Sequence, residues 1–107
     1  MPFYLVQASY SSQATAAMIK NPQDRAAAVK PMIEQMGGKL HGLWLAFGEY
    51  DVVAIAELPD NVSAAALSMA IGASGALGSY RTTPLITTGE AMEAMKKAGT
   101  AGYQPPK

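Results

Sequence analysis

The chain divides by the rhythm of its apolar positions. Phe3-Tyr4-Leu5-Val6-Gln7-Ala8 is aromatic and β-branched with no breaker, which predicts a first strand. Ser11 or Ser12 then caps a short helix over Gln13–Lys20. Asn21-Pro22, with Asp24 just inside, reads as a fresh helix start. Ala26, Val29, Ile33 and Met36 follow at helical spacing, Pro31 predicts a kink, and Gly37-Gly38 closes the helix. Leu40–Leu58 holds two apolar runs around Gly48-Glu49-Tyr50-Asp51 and predicts a hairpin. Pro59-Asp60-Asn61 caps a helix from Val62 to about Ala73, closed by Gly72, Gly75 and Gly78. Ser79–Thr88 is a last strand, whose Pro84 suits an edge or a bulge, and Glu90–Lys97 is a short final helix. Residues 1–98 thus form one domain, and 99–107 read as a flexible tail.

That order predicts an α+β fold: a ferredoxin-like βαββαβ sandwich with an extra C-terminal helix and its helices on one sheet face. Taking Gly48-Glu49 as a two-residue loop, with Gly48 supplying a positive φ, fixes the hairpin register. Phe47, Leu45, Leu43 and His41 then face Tyr50, Val52, Ala54 and Ala56 on the helix side. Ala46, Trp44, Gly42 and Leu40 face Asp51, Val53, Ile55 and Glu57 on the other. A sheet uncovered on that second side exposes Leu40, Trp44, Val53 and Ile55, with Glu57 at their rim. Such an apolar patch predicts a homodimer or higher homo-oligomer.

Composition narrows the function classes. Eight basic residues balance eight acidic ones, with no basic face to suggest nucleic acid. The chain has no cysteine, which removes disulfides, thiolate metal sites and a thiol nucleophile. No apolar run is long enough for a membrane span and no signal peptide is evident, so a cytoplasmic protein is expected. Ala and Met dominate the apolar half; small side chains let helices sit close to a sheet, and methionine fills irregular gaps.

The ordered motifs bring a family into view. Gly48-Glu49-Tyr50-Asp51 resembles the Gly-Tyr-Asp signature of the GYD-domain family. Asn21-Pro22-Gln23-Asp24-Arg25 and Gly37-Gly38-Lys39 resemble the borders of its long helix. Glu57-Leu58-Pro59-Asp60 is similar to its strand exit, and Gly78-Ser79-Tyr80-Arg81-Thr82-Thr83 to its last-strand entry. The resemblance covers most of residues 2–88 and implies a small bacterial or archaeal ferredoxin-like domain of the dimeric α+β barrel type. It implies little about activity.

Candidate chemistry is sparse. Asp51 and His41 are the candidate catalytic groups, and Tyr4, His41, Tyr50 and Asp51 the candidate ligand-binding set, with Tyr10 beside them. His41 is the only imidazole and the one group whose ordinary pKa lies near neutrality. On the register above it reaches a pocket between sheet and helices; the alternative is a hydrogen-bonded or partly exposed residue. Asp51 either moves a proton or accepts backbone N–H groups and fixes its turn. Trp44 either stacks on a flat ligand or anchors a dimer. No HxH or HxxxH spacing exists, so neither a metal nor a cofactor is expected. Three functions remain open. The first is an oligomeric module that binds a small apolar ligand or a partner. The second is a cofactor-independent monooxygenase or isomerase using His41 or Asp51, with Tyr4, Tyr50 and Trp44 shaping its pocket. The third is a structural ring or shell subunit.

Overall fold

The computed structural model describes residues 1–107. Its elements are β1 (Phe3–Tyr10), α1 (Ser12–Lys20), α2 (Arg25–Gln35), β2 (Lys39–Leu45), β3 (Val52–Glu57), α3 (Asn61–Ala73), β4 (Leu77–Leu85) and α4 (Thr88–Gly99). The four strands form one antiparallel sheet in the order β2-β3-β1-β4, the ferredoxin-like arrangement expected from the sequence. Pro84 stands on the edge strand β4, where its missing N–H leaves no ladder bond unmade.

Local chemistry explains the helix borders. Ser11 caps α1, Asp60 caps α3, and Thr87 with Glu90 forms a capping box on α4. The start of α2 differs from expectation: Asp24, not Asn21, is the cap, its carboxylate accepting from the N–H groups of Ala26 and Ala27. Asn21 and Pro22 lie before the helix because Asp24 supplies the better placed acceptor. The end of α2 is a Schellman turn. Gly37 takes a φ of 80°, its N–H donates to the Glu34 carbonyl, and the Gly38 N–H donates to the Ile33 carbonyl.

The hairpin register holds where it was most regular and fails at its ends. Leu45, Trp44, Leu43 and Gly42 do pair with Val52, Val53, Ala54 and Ile55. A bulge at His41 then shifts the ladder, so Leu40 pairs with Ala56 and Lys39 with Glu57. Leu40 consequently packs against the core on the helix side rather than joining the open patch. The tip is also wider than two residues. Ladder pairing ends at Leu45 and Val52, one bond from the Ala46 N–H to the Asp51 carbonyl (2.7 Å) closes the loop, and Gly48 has no positive φ.

The core is small and lies toward one end of the sheet. Tyr4, Ala56 and Leu58 meet Ile33 of α2 and Ala64 and Leu67 of α3 there. Val29, Met32, Met36 and Ile71 pack around them. α1 and α4 bury no residue. No helix is long and apolar enough to cross a membrane.

Candidate functional site

The half of the sheet–helix layer beyond that core is hollow. Strand residues that face the helices here are small, Ala8 on β1 and Ala54 on β3, and so are Ala28 on α2 and Ala70 on α3. Small residues were expected to draw the helices onto the sheet. At this end they instead leave a cavity of about 300 Å³, at the lower end of the range for small-molecule pockets. Val6, Val29, Leu43 and Ile71 are among its other apolar lining residues, and Ile33, Ala56 and Leu67 of the core border it as well.

Its polar groups are few. Arg25, Ser74, Tyr10 and Tyr80 complete the lining, and no carboxylate or imidazole is among them. The Arg25 guanidinium donates to the Gln23 side-chain oxygen (2.5 Å) and has no carboxylate partner. The Tyr80 hydroxyl is buried without any hydrogen-bond partner. An unmet buried hydroxyl carries a penalty of about 1–3 kcal/mol, so its presence calls for an explanation.

The residues expected to form one site are dispersed. Tyr4 is 1% exposed in the core, where its hydroxyl donates to Asn61 Oδ1 at 2.6 Å, outside the cavity lining. His41 stands on the open sheet face, because the bulge turns its side chain away from the helices. There its ring lies 5.0 Å from that of Phe3, and Nε2 is 2.6 Å from Glu57 Oε1. The acidic neighbour absent from its sequence context thus comes from β3, where Glu57 joins His41. Tyr50 is half-buried in the hairpin loop and does not line the cavity.

Asp51 serves the backbone. Its Oδ2 accepts from the Tyr10 N–H at 3.0 Å, and its own N–H donates to the Ala8 carbonyl at 2.9 Å. The carboxylate therefore ties the hairpin loop to the exit of β1 and fixes Tyr10, which does line the cavity. Trp44 keeps its expected place on the open face: its indole folds back over Gly42, where a Cβ would meet the ring at 2.5 Å, and it remains 56% exposed. Val53, Ile55 and Glu57 share that face by strand alternation, with Phe3 and Leu5 of β1 beside them.

Sequence reading missed Tyr80. The signal available was alternation along β4: Tyr80 pairs with Ala8 and Thr82 with Val6, both on the helix side. Thr82 confirms that orientation by bonding Ser68 of α3 at 3.2 Å.

Comparison with known proteins gives one match. The family model described as GYD domain matches residues 4–95. No curated protein and no solved structure matches the chain.

Proposed function

The chain belongs to the GYD-domain family, and from that premise we propose that it is a homo-oligomeric module that holds a small, mostly apolar ligand between its sheet and helices. The observation that carries this reading is the apolar cavity, lined in part by Tyr80, whose buried hydroxyl has no hydrogen-bond partner. Apolar walls with a few polar groups suit a compact hydrophobic body bearing one hydrogen-bonding oxygen. Such a ligand gains from apolar burial and, once the Tyr80 side chain turns its hydroxyl toward the cavity, relieves the unmet group. Acid–base turnover by His41 or Asp51 is disfavoured because neither side chain lines the cavity. Binding, not catalysis, is the function this geometry supports best. The open face of Phe3, Leu5, Trp44, Val53 and Ile55 supports the oligomeric part.

The test compares two probes of similar shape, acetophenone, which offers a carbonyl acceptor, and isopropylbenzene, which does not. Ligand-observed NMR titration should show tighter binding of acetophenone to the wild-type chain. Tyr80→Phe should remove most of that preference, a loss of about 2- to 10-fold for one net hydrogen bond. It should also raise the stability of the ligand-free chain by about 1 kcal/mol. Equal binding of both probes before and after the substitution would sink Tyr80 as the recognition group. Absence of binding by either probe would sink the cavity as a ligand site for this chemistry.

A further inference from the structure

The segment after β4 is made as a helix yet has nothing to lie on. From Ile86 to Lys107 every residue except Ala91 is exposed. α4 carries the full capping box at its start and Lys96 and Lys97 in its last turn, where they complement the helix dipole. Ala91, Met92, Ala94, Met95 and Ala98 fall on one side by helical periodicity, and Glu90, Glu93, Lys96 and Lys97 on the other. Even so, Met92 is 59% and Met95 69% exposed, and α4 makes no substantial packing with any other element. A helix of 12 residues is marginal alone in water and draws its stability from packing an amphipathic face.

The surface area says how much is uncovered. The chain exposes 7474 Å², whereas a compact monomer of 11.2 kDa exposes roughly 5,700 Å². Its radius of gyration is 17.1 Å against about 13 Å for a compact chain of this length. The surplus of roughly 1,800 Å² exceeds the roughly 800 Å² per partner of a standard interface and reaches the obligate-dimer range. The open sheet face alone covers only about 450 Å² in plan, from strand spacing and rise. The projecting segment, exposed from Ile86 to Lys107 at every residue but Ala91, adds to it.

Continuity names the occupant. The last residue of β4, Leu85, pairs with Phe3, and alternation puts both on the open face. α4 therefore leaves the sheet at the border of the apolar face, and a second copy seated there lies within reach of a helix about 18 Å long. We propose that α4 is an exchanged arm whose Met92 and Met95 face packs on a second copy of this chain. The proposal rests on the homo-oligomeric reading above but makes a separate demand on the arm.

The experiment uses the full chain with a benzophenone amino acid replacing Met95, prepared once with natural nitrogen and once with ¹⁵N. Equal amounts are mixed, irradiated and digested. Cross-linked peptide pairs carrying one label from each preparation are expected. In parallel, sedimentation velocity of the Met92→Glu/Met95→Glu chain should show dimer dissociation raised at least about tenfold, with the secondary structure unchanged by circular dichroism. Trp44, the only tryptophan, reports on the sheet face by its emission. A chain that dimerises with Trp44 shielded, but cross-links only within itself or ignores the double substitution, overturns the arm and leaves the sheet dimer standing. A wild-type chain monomeric at all concentrations overturns both.

Discussion

Replacing Ala54 by leucine places three additional carbons into the middle of the helix-facing sheet surface, between Val6 of β1 and Leu43 of β2. If the space there is free, each buried carbon contributes about 0.8 kcal/mol, for an upper value of about 2.4 kcal/mol. The cavity is partly open to solvent, so a gain of about 1–2 kcal/mol is expected, a rise in melting temperature of about 4–12 °C for a domain of this size. Ala64→Leu is the control. Ala64 is 6% exposed within the packed core and outside the cavity lining, so the same added carbons overpack it and destabilise by about 1–3 kcal/mol. The assay is thermal denaturation by circular dichroism at one fixed protein concentration, since an oligomer's midpoint depends on concentration. Each protein is first refolded from guanidinium to strip any retained ligand. The filled cavity should also lose the stabilisation that acetophenone gives the wild type. Destabilisation by Ala54→Leu comparable to that of Ala64→Leu would refute the reasoning, because the space would then be no reservoir of free volume.

Two further predictions concern the frame that holds the cavity. A Cβ on Gly38 would sit on the Glu57 carbonyl oxygen, 2.8 Å from Leu58 Cδ2 and 3.2 Å from Ile33 Cγ2, so Gly38→Ala should destabilise by about 2 kcal/mol or more in urea unfolding; a neutral outcome would mean that α2 and the β3 exit are not pressed together there. Asp60 accepts from the Ser63 N–H at 2.8 Å, and this bond holds its pKa below the ordinary 3.8. Because the folded value is the lower one, the stabilisation is full above 3.8 and is lost as pH falls through the lowered value. Asp60→Asn caps α3 without titrating, so the wild type's advantage over it should be constant near neutrality and shrink in acid. A difference flat from about pH 6 to pH 2 would count against that linkage.

Much of the fold was legible because each border carries its own chemistry. Ser11, Asp60 and the Gly37-Gly38 pair announce helix ends through side-chain oxygens and a left-handed backbone, and strand alternation sets Val52, Ala54 and Ala56 on one face. The site was less legible because it depends on one inserted residue and on empty space. A bulge at His41 reverses that side chain and sends Leu40 to the core, yet neither residue type encodes a bulge. The cavity forms where alanines from four separate elements face one another, and no local pattern distinguishes alanines that permit close packing from those that leave a gap. Tyr80 escaped notice for the same reason: its meaning lies in what fails to bond it.

The Gly48-Glu49-Tyr50-Asp51 segment looks like a place for chemistry because it sets a carboxylate beside a phenol at a turn. Its geometry argues for support instead. One oxygen of Asp51 is engaged by the Tyr10 N–H, and the Asp51 backbone bonds Ala8 on the same strand. Both partners belong to the cavity wall: Ala8 gives it room, and Tyr10 gives it an edge. A carboxylate accepting a backbone N–H is a strong, directional tie, so it holds the end of β1 against the hairpin even though the hairpin tip itself is loosely laddered. The signature acid thus acts on the cavity through the backbone, by fixing where the strand that lines it must stop.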